Sequence, residues 1–509
     1  MSCANAAGRQ PTALVVVATA AALLAGCAAV GPDYAGPPAV ATGALQATGF
    51  VRAGPADAAG AAQAPPPARW WDAVGDAQLA ALVDEALAAS PNLKAAAARV
   101  RSAREREALG RAGLLPAGSL GARYVRGRIP TGSFTPGGSA GSDAAGAGAS
   151  TSSLADPIRI DTYSASFDAS WEIDLFGARR RGIESASATL QATQAAYEDA
   201  QVQLASEVGV AYARLRAAQQ RLALQTRATE LRSRSLALTR QRRDGGTASQ
   251  VDLDRLQTEL TQARAGVPPL QAEVEQQLDR LALLAGREPG ALDARLALAP
   301  AQGSVQPMPP RQVPLGTPAE WLRRRPDIRQ AERTLAARNA TIGQNVAAYF
   351  PSVSVLGLAA SSAPRLADLF SGSPLWLLSP ALSWNFLGAP GTGARVRGAE
   401  ADRDEALAAY ENTVLAALQD ANASLSRLAH GRQALLDSEA ARDAAVDADR
   451  LTRQRYAAGT ASLIDALDTE RQRMQLEDQL AQARSALMVD YVSLQKSLGL
   501  GWAAAADRR

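Results

Sequence analysis

The sequence predicts a mixed fold of long α-helices and membrane-spanning β-strands, built as two internal repeats and sealed only by association with further copies. Three observations carry this reading. A polar phrase, Arg-Gln-Arg followed by Gly-Thr-Ala-Ser and then Asp, occurs at 240–254 and again at 453–468, with Thr247 and Thr460 213 residues apart. Two stretches, 163–174 and 376–386, alternate apolar and polar residues with period two, as expected of strands with one apolar and one polar face. Residues 178–243 contain no proline, and at 1.5 Å per residue they extend about 100 Å as one helix.

Composition agrees. The 509 residues carry 53 Lys and Arg against 50 Asp and Glu, a mixed-charge balance that gives no case for a nucleic-acid partner. Aromatic residues are only 5% of the chain, which suits long, closely packed helices better than a wide globular core.

Taken in order, the chain opens with Arg9 and an apolar run too short to span a bilayer, ending in Leu24-Ala25-Gly26-Cys27. Small residues before a cysteine resemble a lipoprotein signal. Residues 1–26 are then a signal peptide, and 27–75 an amino-terminal segment anchored by lipid on Cys27. Several acyl chains hold stably where one alone is marginal. Ala28, not Asp, follows Cys27, as in lipoproteins sent to the outer membrane. Cys3 leaves with the signal, so no disulfide is expected. No later segment reads as a transmembrane helix, so any membrane crossing falls to strands.

Residues 76–286 form the first repeat and 317–500 the second, joined by a Pro-rich linker at 287–316 and followed by a tail at 501–509. Trp171 and Trp384, and Tyr197 and Tyr410, keep the 213-residue offset, whereas Pro91 and Pro326, and Pro116 and Pro351, are 235 apart. The difference is an insert at 127–157, rich in Gly, Ser and Ala, that reads as a flexible loop. Each repeat leads with a helix, at about 76–110 and 317–347. Ser90 and Pro91 suit a helix restart, and Arg325 takes the matching position as a poor cap.

Strands follow. Tyr163, Ala165, Phe167, Ala169, Trp171 and Ile173 share one face, and Ser164, Ser166, Asp168, Ser170, Glu172 and Asp174 the other. In the second repeat Trp376, Leu378, Pro380, Leu382, Trp384 and Phe386 oppose Ser379, Ser383 and Asn385, with Pro380 expected at a bulge or an end. This pattern fits a barrel wall, lipid outside and water inside; a sheet half-buried on a soluble core is the other arrangement it allows. Long helices come next, at 178–243 and 395–457. The first has heptad seams through Ile183, Leu190, Tyr197, Leu204 and Ala211, and through Val208, Leu215, Leu222 and Leu236, the spacing of coiled-coil packing.

The repeated phrase is a helix–helix turn. Gly459, like Gly245 or Gly246, ends the incoming helix, and Ser462 with Asp465, like Ser249 with Asp252, forms a capping box on the outgoing one. Pro268-Pro269 breaks or kinks the first outgoing helix, with no counterpart in the second. Four strands cannot close on themselves in lipid, so copies must share a barrel: two give eight strands, three give twelve.

The chain resembles the outer-membrane factors of tripartite efflux systems, of the TolC/OprM/NodT type. The marks are "VGPDY" at 30–34, "RWWDAVGDAQLAALVDEAL" at 69–87, "WEIDLFGARRR" at 171–181, "RRRPDIRQAE" at 323–332, "AAYFPSVSVLGLA" at 347–359 and "RYAAGTASLIDALD" at 455–468. The resemblance implies a homotrimer with a shared 12-stranded outer-membrane barrel. That barrel continues into a long periplasmic α-helical barrel, belted by the linker and the terminal segments. A periplasmic adaptor docks at the hairpin tips and joins an inner-membrane pump of the resistance-nodulation-division type. No cofactor is implied beyond the covalent lipid on Cys27.

The implied function is a passive exit duct for drugs or other small toxic compounds. A duct for type I protein secretion, or a lipid-anchored coiled-coil scaffold without a pore, are the alternatives. Carried onto this chain, the periplasmic gate draws on Tyr456, Asp468, Asp465, Asp252, Arg243 and Arg455. Arg453 is a further candidate cation, because Ala248 and Ala461 stand where some members carry a basic residue. The adaptor-docking turns are Gly246, Thr247 and Ser249, and Gly459, Thr460 and Ser462. Enzymatic chemistry is not expected: His430 is the sole histidine and sits on a long helix, and Trp70 and Trp71 read as packing anchors.

Overall fold

The computed structural model describes residues 29–47, 49–52, 67–129, 158–297 and 306–502. The predicted signal peptide, Cys27, nearly all of the Gly/Ser-rich insert and most of the tail lie outside the described residues. The elements are α1 (Ala77–Ala89), α2 (Pro91–Ala112), β1 (Ala117–Ile129), β2 (Ile158–Ile173), α3 (Ala178–Asp244), α4 (Gln250–Ala265), α5 (Val267–Leu284), α6 (Pro318–Arg324), α7 (Pro326–Ala347), β3 (Ser352–Ala363), β4 (Leu375–Ser383), α8 (Ala389–Ala457) and α9 (Leu463–Ser497). The chain divides into two compact units. One comprises Met1–Tyr34, Glu105–Ser187 and Ala337–Arg403, and the other Ala35–Arg104, Ala188–Ala336 and Asp404–Arg509. Each draws on both halves of the sequence.

The first unit holds a four-stranded antiparallel sheet in the order β1-β2-β3-β4. Register places Leu120, Phe167, Ala359 and Trp376 in one row across all four strands, and Gly118, Ala169, Gly357 and Leu378 in the next row on the same face. Trp171, Val355 and Pro380, then Ile173, Val353 and Leu382, continue that face. It is apolar throughout this band and uncovered within the chain: Leu120 is 83% exposed and Trp376 76%. The opposite face carries Ser119 beside Asp168 and Gly121 beside Ser166, but Leu356, Leu358, Leu375 and Leu377 make it mixed on β3 and β4. β1 and β4 are both edges.

Two details differ from the sequence reading. Strand β4 stops at Ser383, so Trp384 and Phe386 lie beyond it. The Trp384 indole donates to the Tyr349 carbonyl at 3.0 Å, and Phe386 enters a single 3₁₀ turn capped by Asn385. Pro380 causes neither a bulge nor an end: it pairs with Val355 in unbroken register, on an edge strand, where a missing N–H is tolerated.

The second unit is helical. The leading helices split where a cap was expected, at Ser90 and at Arg325. Thr317 and Glu320 form a capping box on α6. Arg325 caps nothing with its side chain; it stacks on Trp321 and donates to the Ser497 carbonyl and to Asp327. Helix α3 spans 67 residues and α8 spans 69, the latter starting six residues earlier than expected because Pro390 fits a first turn. Around 201–219 nearly every α3 residue is buried, as packing on more than one side requires. The core gathers Trp70, Trp71, Leu79, Tyr212, Leu281 and Tyr491, with Trp70 edge-on to both Trp71 and Tyr491. The linker joins it through buried Leu292, Leu296, Val313 and Leu315, and Arg216 and Gln219 both donate to the Leu296 carbonyl.

Candidate functional site: the hairpin tips

Both repeated phrases fold into the same turn, and the sequence dictates how. Gly246 and Gly459 adopt left-handed φ of 77° and 76°, a region that costs a side chain but not glycine. At the first turn the Thr247 N–H donates to the Arg242 carbonyl and the Gly246 N–H to the Arg243 carbonyl. At the second, Thr460 donates to Arg455 and Gly459 to Tyr456. This is the paired bonding of a Schellman motif, which satisfies the last carbonyls of each long helix. The threonine is explained as well: the Thr247 hydroxyl donates to the Arg242 carbonyl at 2.9 Å, and that of Thr460 to Arg455 at 3.1 Å. Gly246, rather than Gly245, takes the helix-ending position.

The outgoing helices start on matching caps. The Asp252 N–H donates to the Ser249 hydroxyl while the Asp252 carboxylate accepts from the Ser249 N–H, and Ser462 and Asp465 do the same. The bonds from Ser462 hold the Asp465 carboxyl below the usual carboxylate range, with the nearby Arg455 charge adding to the effect. Asp252 and Asp465 are thus occupied as caps.

Contacts between the two hairpins come partly from residues the sequence did not single out. Tyr456 accepts a hydrogen bond at 3.2 Å from Arg242, whose guanidinium also lies over its ring. Arg243, a candidate cation for the tip carboxylates, turns to Gln250 and Asp244. The cation for Asp468 is none of Arg243, Arg453 or Arg455. It is Arg471, three residues on, which also reaches Glu259 on α4 at 2.8 Å. The Glu259 bond raises the Arg471 pKa. Arg453 pairs with Asp449 and Glu470, and Arg473 with Asp449 and Glu477. Asp449 is buried and serves two arginines. Burial alone lowers the Arg453 pKa, but the Asp449 bond and the Glu470 charge outweigh it and leave the pKa raised.

Beneath these charges lies a small apolar seam. Leu236 of α3 and Leu253, Leu256 and Leu260 of α4 pack together, with Leu463 and Leu467 of α9 against them. Val251 and Ile464, again 213 apart, are left largely exposed one residue before each capping Asp. They flank a groove of about 410 Å³ between α4 and α9 that also takes in Asp468 and Arg471.

Among the described residues no group of His, Cys, Asp or Glu is placed to hold a metal, and no helix is long and apolar enough to cross a membrane. Of the missed residues, Arg471 had a visible signal, standing at the i+3 position from Asp468. Arg242 had none, and neither had the Glu259 contact with Arg471, because these pairs lie more than 200 residues apart.

An apolar-faced antiparallel sheet, two very long helices and paired helical turns define an outer-membrane channel subunit. The chain belongs to the outer membrane efflux protein family, whose profile matches residues 82–287 and 317–500. It is 32% identical to the probable efflux pump outer membrane protein TtgC of Pseudomonas putida over 343 residues, 67% of this chain and 69% of that one. It is 30% identical to the pyoverdine export outer membrane protein OpmQ of Pseudomonas aeruginosa over 452 residues, 87% of this chain and 90% of that one. Among solved structures, the outer-membrane channel OprN superposes with a TM-score of 0.78 at 33% identity, covering 93% of this chain and 99% of the other. The open state of the Neisseria gonorrhoeae MtrE channel superposes at 0.76 with 24% identity, covering 93% and 98%, and shares the fold. This is a family of efflux channels, and this chain is an outer-membrane efflux component.

Proposed function

We propose that three copies of this chain share a 12-stranded barrel and form the exit duct of a tripartite efflux system. One observation carries the reading: four antiparallel strands with an uncovered apolar face and two open edges. Unpaired N–H and C=O groups are not tolerated in hydrocarbon, so β4 of one copy must pair with β1 of the next until the ring closes. Eight residues separate Tyr163 from Trp171 on the apolar face, about 26 Å at about 3.3 Å per residue, which suits the height of an outer-membrane apolar band. The two aromatics stand where interfacial girdles stand.

In this reading each chain contributes two internal repeats. The acyl groups on Cys27 hold the amino end in the membrane. The tips constrict the duct, with the Asp468–Arg471–Glu259 chain and the Arg242–Tyr456 contact linking neighbouring hairpins. A periplasmic adaptor grips the two turns, using exposed Val251 and Ile464, and connects an inner-membrane pump that supplies the energy. The cargo is small and toxic or exported: relatives are named for antibiotics, toluene, solvents and pyoverdine.

Native mass measurement in mild detergent tests the closure, with conductance in planar bilayers as its companion. A trimer that conducts is expected. A folded monomer, or a trimer without conductance, refutes the duct.

A further inference from the structure

The segment Ala29–Asp33 is held in a way its sequence does not announce. Arg181, near the start of α3, is only 5% exposed. Its Nε donates to the Val30 carbonyl at 3.1 Å, and its Nη2 reaches the Ala29 carbonyl at 3.4 Å, the Gly31 carbonyl at 3.3 Å and the Asp33 carboxylate at 2.6 Å. Nη1 donates to Glu184 at 2.8 Å. Asn339 of α7, itself buried, donates to the Pro32 carbonyl at 3.0 Å. Four consecutive carbonyls, from Ala29 to Pro32, therefore each accept a side-chain hydrogen bond, and the Val30 N–H donates to the Phe176 carbonyl. The fit is also steric: a Cβ on Gly31 would lie 2.4 Å from the Gly343 Cα, and one on Gly343 would lie 2.9 Å from the Val30 carbonyl oxygen.

Chain termini are ordinarily loose unless tied down, and a buried guanidinium is expensive unless its donors are met. Here each requirement answers the other. The motif "VGPDY" supplies carbonyls, a carboxylate and a glycine, and the motif "GARRR" supplies the cation. The tie stands at the β2–α3 junction, where the apolar face of the sheet ends at Ile173.

We propose that Arg181, assisted by Asn339, is a positioning residue for the membrane anchor, clamping the amino-terminal strap so that the acyl chains enter the leaflet beside the base of β2. The role rests on Cys27 being the lipid-bearing residue. Two residues of chain reach no more than about 7 Å, so an anchor on Cys27 stays at that rim. The clamp reads four backbone carbonyls and the Asp33 carboxylate, and Gly31 leaves no room for a side chain.

The test uses full-length protein from membranes, with a nitroxide on Ala35→Cys and the intact mass recorded for each preparation. The native strap gives an immobile label at one membrane depth. Arg181→Ala gives a several-fold shorter rotational correlation time and a spread of depths, with trimer mass and conductance unchanged. Asn339→Ala, which removes one neutral bond, gives an intermediate mobility and decides the matter should Arg181→Ala fail to assemble. An acylated chain whose label stays as immobile in Asn339→Ala and Arg181→Ala as in the native protein overturns the clamp. An unmodified Cys27 overturns the anchor, and the positioning role with it, whatever the label reports.

Discussion

Ser462 and Asp465 show how much a single pair of side chains decides. Ser462→Ala removes the cap of α9 and is expected to cost about 1 kcal/mol per chain, read as a lowered thermal midpoint. Asp465 adds a pH signature. Its pKa is lowered in the folded protein by the Ser462 bonds, so its contribution is full above the usual carboxylate range and fades as pH falls through the lowered value. The gap in midpoint between native protein and Asp465→Asn should therefore be open at neutral pH and close in strong acid; a gap that widens on acidification contradicts the cap. Asp468 behaves differently, being an exposed partner of Arg471 rather than a cap. Asp468→Ala and Arg471→Ala should each raise conductance or the leak of bulky solutes. Arg471→Ala should have the larger effect, since it also removes the contact with Glu259 on α4; unchanged bilayer currents in both would remove this chain of charges from the gate.

At the scale of elements, the seam under the tips is the most exposed to test. Leu256 is fully buried among Leu253, Leu260 and Leu236. Leu256→Ala should destabilise by about 2–5 kcal/mol through lost transfer energy and a residual cavity, measured by denaturant melting with helicity as the signal. Elements were also the most legible level of the sequence. The end of α3 was placed to within one residue, and both turns were placed through their Gly and Ser, because local rules govern them. Heptads located buried Leu190, Leu204 and Leu215 for the same reason. Legibility failed where the partner was remote. Arg242 meets Tyr456 across 214 residues, a pairing that no local pattern records. Strand β4 ended early because Trp384 found the Tyr349 carbonyl, 35 residues back.

For the whole molecule, the sheet sets the terms. Its apolar rows are uncovered within the chain, and Leu378 lies within them, next to Gly357. Leu378→Arg should cost about 2–4 kcal/mol per copy if this face meets lipid at mid-depth. Loss of the protein from outer-membrane fractions is the expected result; normal insertion would place that face toward water. The alternation on β2 was plain in sequence because Ser and Asp interleave with aromatics. On β3 and β4 it was less so, since Leu356 and Leu377 share the side of Ser354 and Ser379.

The outgoing arms of the two hairpins are not built alike. Helix α9 runs 35 residues without interruption, whereas α4 gives way to α5 at Gly266, where Pro268 and Pro269 donate nothing to the preceding turn and the Gln225 amide takes up the Ala263 carbonyl at 2.7 Å. A rod with a break in its hydrogen-bond ladder and a rod without one do not yield equally to the same push. If copies close into the proposed ring, jointed and unjointed arms alternate around its mouth, and its dilation is expected to be lobed rather than circular.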